Sequence, residues 1–483
     1  MSVYRGDCLA WLRSLEDESV DAVVTDPPYG LSKPPKIEDV LQAWLDGVQY
    51  EHGGGGFMGH EWDAFVPGPA VWREVARVLK PGGHAVVFAG TRTVDVMGVA
   101  LRLAGLEVRD LGRWCYWSGF PKSMDISKAI DRQDAVREQE TRRYRFTAWV
   151  RSTGLTSRQI DDATGTNMGG HYTTAASQPA VMTREHLEAV RDLIDEVPSW
   201  VEQEVDRRTI ESDNMKARKA VGTKRSGIAN PQEPQRHTIG AGKPVVVDIT
   251  APATPEAEAW AGWGTALKPA GEPWLLVRKP MRGTTVAQVL STGTGALNID
   301  GCRYPDGDDA WPGPSNSDFD DGRWPVNLYA CPKASRAERE RGCDELPARS
   351  GADAVKREPG SAGLTPRAGA GRSANAVRNH HPTVKPVRLM RWLVRLVTPP
   401  GGVVIDPYLG SGTTGIAATL EGVRWAGAEL LDDHADIAEA RIAHAARWPE
   451  AWGDTTPGGG VSTDERATLE RRGQLGMFGG SDE

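Results

Sequence analysis

The alternation of short apolar runs with amphipathic stretches is what most constrains this chain. Val20-Asp21-Ala22-Val23-Val24-Thr25 has the length and composition of a buried strand. Residues 69–79 set Val71, Val75, Val78 and Leu79 on one helical face, and Lys80-Pro81-Gly82-Gly83 is expected to stop that helix. A second strand, Ala85-Val86-Val87-Phe88-Ala89, follows, then a helix over 93–104 closed by Gly105. This rhythm predicts a mostly parallel sheet with helices on both faces. Trp114-Cys115-Tyr116-Trp117 and Trp274-Leu275-Leu276-Val277 read as neighbouring strands of that sheet, separated by a long insertion. With 483 residues, 39% of them hydrophobic, the chain can bury such a core.

Directly after the first strand stands Asp26-Pro27-Pro28-Tyr29. Ligands of open α/β sheets bind at the carboxyl ends of the strands. Asp26 suits one N–H of an exocyclic amino group on a nucleobase, and a proline-held carbonyl suits the other. Tyr29 offers a face to a base swung out of its helix. Proline fixes φ and lacks an N–H, so the carbonyls here are stiffly aimed. The same four residues also read as a plain strand-ending turn.

A second Asp-Pro stands near the other end of the chain. Val403-Val404-Ile405 reads as a strand, Asp406-Pro407-Tyr408-Leu409-Gly410-Ser411-Gly412-Thr413-Thr414 as a Gly-rich loop, and residues 415–420 begin a helix. Gly410, Gly412 and Gly415 match GxGxxG, and the strand over 424–430 carries Glu429 at the spacing of a ribose-binding acid. A P-loop is rejected, because Thr413 follows Gly412 and Ile416 follows Gly415 where lysine is required. A dinucleotide is allowed by the glycines. S-adenosylmethionine is favoured by Asp406, which would repel a pyrophosphate and attract an ammonium. A tight loop needed only for packing remains the plain alternative.

Net charge is −8, yet residues 323–397 hold 15 Lys/Arg against 6 Asp/Glu, so local basic surface for phosphates exists. Five scattered cysteines without a CxxC pair argue against a disulfide framework or zinc site, and no metal is expected. No apolar run reaches about 18 residues and no leader pattern is seen, so a soluble, cytoplasmic chain is expected. Within the insertion, residues 146–152 read as a helix ended by Gly154. Thr156-Ser157-Arg158-Gln159 forms a capping box for the next helix, Gly165 closes it, and another segment follows at 166–174. That pattern fits a helix-turn-helix or a small helical packing module. Gly53-Gly54-Gly55-Gly56 lies in a long loop, 286–380 is expected to be largely loop, and the end from Pro457 to Glu483 a tail.

The pair Asp26–Tyr29 and Asp406–Thr414 resembles the motifs of the DNA amino-methyltransferases, in the order of their β group. Gly6-Asp7-Cys8 is similar to the segment that contacts the cofactor adenine there. His381-Pro382-Thr383-Val384-Lys385-Pro386 resembles the element bordering the methionine moiety, and Arg77–Gly83 a common helix-to-strand turn. The resemblance implies a Rossmann-like, S-adenosylmethionine-dependent α/β fold and transfer of a methyl group to a flipped base in double-stranded DNA. Asp in the first motif leans towards adenine N6, with cytosine N4 as the alternative. Asp26, Pro27, Pro28 and Tyr29 would then be catalytic, with Phe57 or Trp62 helping to cage the base. Asp7, Cys8, Asp26, Thr383, Lys385, Asp406, Pro407, Tyr408, Gly410, Gly412, Thr413, Thr414, Glu429 and Leu430 would hold the cofactor.

The implied organisation is a catalytic half over 1–130, a helical module over 131–255 resembling additions in phage and prophage members, and a return strand within 256–285. A basic recognition region follows over 286–380, then a cofactor half over 381–450 and a tail over 451–483. In that tail Gln474-Leu475-Gly476-Met477-Phe478 resembles the peptide that docks on bacterial sliding clamps, and a second copy of the chain is a further candidate partner. A competing class is a DNA-binding regulator with an inactive transferase core.

Overall fold

The computed structural model describes residues 2–30, 34–52, 63–116, 119, 123–174, 179–206, 213–226, 245–305, 308–311, 322–349 and 377–453. Phe57, Trp62, the Gly53–Gly56 run and the Gln474–Phe478 peptide lie outside them. The chain divides into two compact units, 1–120 with 269–483, and 121–268.

In the first unit the strands are β1 (Ser2–Arg5), β2 (Val20–Thr25), β3 (Leu79–Phe88) and β4 (Glu107–Cys115). The second unit carries β5 (Ala220–Ser226) and β6 (Val245–Thr250). Back in the first unit come β7 (Gly271–Arg278), β8 (Leu328–Ala330), β9 (Val403–Asp406) and β10 (Arg424–Glu429). Eight of these form one sheet in the order β1-β10-β9-β2-β3-β7-β4-β8. Neighbours are parallel except for β7, which runs against both β3 and β4. The sheet is therefore α/β and mostly parallel, as the alternating pattern predicts.

All six residues of β2 are buried, which requires cover on both faces. Ala22 and Val24 face one apolar cluster with the helices Val387–Val397 and Thr413–Leu420. Val20 and Val23 face another with the helices Cys8–Ser14, Pro69–Val78 and Val94–Leu103. The β4–β7 pairing also bears out the reading of Trp114 and Trp274 as residues of adjacent strands: Gly112 lies opposite Trp274.

Two expectations are refined. Lys80–Gly83 does not separate helix from strand: β3 begins at Leu79, and a register shift against β2 absorbs the four residues. Lys80 stays near the sheet because its ammonium donates to Asp21 Oδ1 at 2.6 Å. Residues 286–349 are mostly irregular among the described residues, as expected, but they are not without regular elements. The segment supplies the helices Thr285–Thr292 and Arg336–Glu340 and the edge strand β8, and it buries Cys302, Tyr304, Tyr329 and Cys331 against Trp392. Its apolar residues are few and widely spaced, so no periodicity betrays them, yet each is large enough to anchor a turn of chain.

The 121–268 unit has its own core, built on Phe146, Val150, Ile160, Tyr172, Leu187 and Val201. The helix expected over 146–152 is longer, Gln133–Ser152. The Thr156/Gln159 capping box forms, and the helix Ser157–Thr164 ends on Gly165 at φ +66°. The next helix is the short Gly169–Thr173, where a Cβ at Gly169 would meet Ser157 O at 2.1 Å. Among the described residues no helix is long and apolar enough to cross a membrane.

Candidate active site

The strand ends bring the two Asp-Pro motifs together. Thr25, the last residue of β2, donates through Oγ1 to Asp406 Oδ1 at 2.6 Å. Thr414 Oγ1 donates to Asp406 Oδ2 at 2.6 Å and the Tyr408 N–H to Oδ1 at 2.9 Å. Asp406 thus ties β2, the Gly-rich loop and the following helix into one edge. Burial pushes its carboxyl up to about 6, against the pull of the Thr25 and Thr414 hydroxyls.

A cavity of about 370 Å³ opens along this edge. Asp26 and Pro28 line it from the first motif, and Asp406, Pro407, Tyr408, Gly410, Thr413 and Thr414 from the second. Asp7, Cys8, Thr383, Lys385, Glu429 and Leu430 complete the expected set on its walls. Pro27, Tyr29 and Gly412 do not line it: Pro27 is buried, and Tyr29 packs against the core beside β3.

Glu429 ends β10 as Asp406 ends β9, and it accepts the Gly410 N–H at 2.9 Å and the Leu431 N–H at 3.0 Å. Each oxygen keeps room for a further donor, since a carboxylate offers about four acceptor sites. Asp7 caps the helix Cys8–Ser14 by accepting the Ala10 N–H at 2.9 Å. The glycines answer to packing. A Cβ at Gly410 would meet His381 Nε2 at 2.8 Å, at Gly412 Ala438 Cα at 2.9 Å, and at Gly415 Ile442 Cδ1 at 2.6 Å. Gly412 also adopts φ +81°, a left-handed conformation. The loop's close turns therefore fit against the helix Asp432–Arg447, while its inner surface is left for the cavity.

At the other end of the cavity, Asp26 Oδ2 accepts a hydrogen bond from Lys385 Nζ, while its buried Oδ1 has no hydrogen-bond partner among the described residues. Lys385 is 5% exposed and also lies 3.4 Å from Glu272 Oε2. Burial raises the Asp26 carboxyl above its ordinary value, more than Lys385 offsets. Burial alone would pull Lys385 down, but Asp26 and Glu272 together hold it above the usual lysine range. Lys385, expected among the cofactor residues, gives its ammonium to these two carboxylates on the cavity wall. Tyr29 donates its N–H to Asp63 Oδ1 at 2.8 Å and its hydroxyl to Glu272 Oε2 at 3.2 Å, and its carbonyl accepts from Thr93.

Several residues here carry no sequence signal. Glu272 stands at the start of β7, and only the antiparallel direction of β7 puts that start beside the carboxyl ends of its neighbours. Tyr50, His52 and Phe65 form an aromatic wall of the cavity, with Tyr50 and Phe65 edge-on at 5.8 Å. His381, by contrast, opens the His381–Pro386 element; it is buried with its ring 4.6 Å from that of His434, and burial holds it well below the usual histidine range, hence neutral. Behind the Gly-rich loop, the fully buried Arg441 donates to the Ser411 carbonyl at 2.6 Å. Among the described residues no cluster of three His, Cys, Asp or Glu could hold a metal ion.

The described geometry is that of an α/β sheet with one edge cavity built from both motifs. The DNA methylase family of N6/N4 enzymes matches residues 20–148 and 304–440, more than half of the chain, and the chain belongs to that family. It is 41% identical over 68 residues to "Putative methylase YubD" of Escherichia coli (strain K12), a match spanning 14% of this chain and 30% of that protein. It is 37% identical over 65 residues to the type II methyltransferase M.ScaI of Streptomyces caespitosus, spanning 14% and 21% respectively. The solved PvuII DNA methyltransferase (cytosine-N4-specific) aligns over 94% of this chain and 93% of its own at 13% identity, with a TM-score of 0.36.

Proposed function

We propose that this protein transfers a methyl group from S-adenosylmethionine to the exocyclic amino group of a flipped base in duplex DNA, adenine N6 in preference to cytosine N4. The observation that carries the reading is the buried Asp26 Oδ1, unpartnered among the described residues, on the cavity that Glu429 and the Gly-rich loop also line. The donor set fits the cofactor. Glu429 retains acceptor capacity for ribose hydroxyls, Cys8, Leu430 and Tyr408 offer apolar or aromatic surface, and Thr383 and Thr413 stand on the same wall. When bound, the cofactor supplies an electrophilic methyl carbon.

The chain's own residues do the rest. Asp26 Oδ1 accepts an N–H of the target amino group, which draws the nitrogen lone pair out of conjugation. The raised affinity of Asp26 for protons eases acceptance of the proton that the nitrogen loses. Tyr29, anchored at its N–H, carbonyl and hydroxyl, keeps its ring fixed beside Asp26. Held geometry of this kind is worth about 7–11 kcal/mol of barrier. No covalent enzyme intermediate is required, and none of the five free cysteines is called on.

The preference for adenine rests on Asp at position 26. Recognition of DNA we assign to the 121–268 unit, supported by its capped helix Ser157–Thr164 followed by the short helix Gly169–Thr173, with Arg151 and Arg158 exposed. Modified-base sequencing of DNA from cells expressing the protein tests base, position and motif together. The expected result is N6-methyladenine at one short sequence, absent with Asp26→Ala; methylation at cytosine N4 would overturn the adenine reading.

A further inference from the structure

Four charges of alternating sign run along the sheet edge, each from a different element. Asp26 follows β2, Lys385 precedes the helix Val387–Val397, Glu272 opens β7, and Lys333 lies just beyond β8. The Lys385 ammonium meets Asp26 Oδ2 and lies 3.4 Å from Glu272 Oε2. Lys333 Nζ lies 3.2 Å from Glu272 Oε1 and 4.1 Å from the centre of the Tyr116 ring. Side-chain exposure is 15% for Asp26, 5% for Lys385 and 17% for Glu272, then rises to 45% at Lys333.

A lysine shared between two carboxylates cannot be claimed wholly by either. With Glu272 absent, the ammonium would turn fully to Asp26 and compete for the oxygen lone pairs that the target nitrogen needs. Glu272 also receives the Tyr29 hydroxyl at 3.2 Å, so one carboxylate fixes both the aromatic ring and the lysine head.

We propose that Glu272 is a positioning residue of the reaction, sharing Lys385 with Asp26 and anchoring the Tyr29 hydroxyl so that Asp26 Oδ1 stays open to the target amino group. This rests on the methyl-transfer reading above and extends it to a residue outside every motif.

The groups facing Asp26 are Tyr29 on its own loop, Lys385, Glu272 on β7 and Asp406 on β9. Lys333 and Tyr116 face Glu272 in turn, and His381 faces Lys385. Lys385 lowers the proton affinity of Asp26 and Glu272 raises it. Opposite shifts follow from neutralising each. Glu272→Gln keeps an acceptor for Tyr29 and removes only the charge, so the acid limb of kcat moves to lower pH. Lys385→Met moves it to higher pH.

The experiment measures single-turnover transfer to duplex DNA against pH, alongside carboxyl 13C NMR of aspartate-labelled, cofactor-free protein. Asp26→Asn identifies the Asp26 resonance. Glu272→Gln should reduce kcat about ten-fold or more at unchanged cofactor KM, with the Asp26 resonance titrating at lower pH than in the wild type. Glu272→Asp should recover part of the lost rate. Wild-type kcat in Glu272→Gln, or an Asp26 titration that stays put or moves upward, overturns the proposal. If Glu272→Gln does not fold, Glu272→Asp against wild type decides: a reduced kcat at unchanged cofactor KM supports it, and an unchanged kcat ends it. A wild-type protein that methylates no DNA would end the functional reading, while the NMR titration would still decide what Glu272 does to Asp26.

Discussion

Two Asp-Pro steps end two strands of one sheet, and their carboxylates are used in opposite ways. Asp406 gives both oxygens to neutral donors from three places in the chain: Thr25, the Tyr408 N–H and Thr414. Asp26 gives one oxygen to a lysine and leaves the other buried and, among the described residues, unpaired. A buried carboxylate with satisfied oxygens is a structural knot. One with an open oxygen costs stability and is kept for a ligand. The dipeptide is the same, and the neighbours decide which it becomes.

The largest effect that would break this contrast is on chemistry. Asp26→Asn should lower transfer by roughly 10²–10⁴-fold, measured with labelled cofactor and DNA, while cofactor binding by equilibrium dialysis is retained. Comparable transfer in this variant and wild type would put the acceptor elsewhere. At the other Asp-Pro the effect should fall on the fold. Asp406→Ala strands the Thr25 hydroxyl and the Tyr408 N–H, while Thr414 keeps the Val24 carbonyl at 3.3 Å; each buried group left unpaired costs about 1–3 kcal/mol, to be read as a lower denaturation midpoint without bound cofactor. Gly412→Ala should cost about 1–3 kcal/mol as well, because the new Cβ meets Ala438 at 2.9 Å from a backbone at φ +81°.

A pH series sharpens the comparison further. The Asp406 carboxyl is raised to about 6 in the folded protein from 3.8, so the folded state holds this proton more tightly than the unfolded one. Its contribution to stability is full below about pH 4 and is lost as pH rises through about 6. Asp406→Asn should flatten that part of the stability curve, measured by urea unfolding across pH 3.5–7 at roughly half-unit steps. The smallest effect lies in the second unit. Thr156→Ala removes one side of a capping box and should cost about 0.5–2 kcal/mol, seen as faster amide exchange in the helix Ser157–Thr164 with the first unit unchanged.

Much of the sheet was legible because its cues are local. Buried strands show as runs of valine, Pro69 opens a helix at its first position, and Thr156 with Gln159 caps one. The cavity lining followed for the same reason, since a strand end and a Gly-rich turn are neighbours in sequence before they are neighbours in space. The misses have the opposite character. Tyr304 and Tyr329 seemed loop residues because no helix or strand period marks them. Their partner is Trp392, which the fold brings within 6.0 Å and 5.1 Å of them.

By itself the sequence determined which segments become strands and helices, where the two acidic strand ends fall, and which glycines take left-handed turns. These depend on dihedral preference and short-range hydrogen bonds, which a residue and its near neighbours settle between them. Only the tertiary structure decided that Lys385 would be shared between Asp26 and Glu272, and that the reversed strand β7 would present its first residues at the working edge. Ion pairs across hundreds of residues follow from how the layers close, and that closure depends on the packing of the whole core.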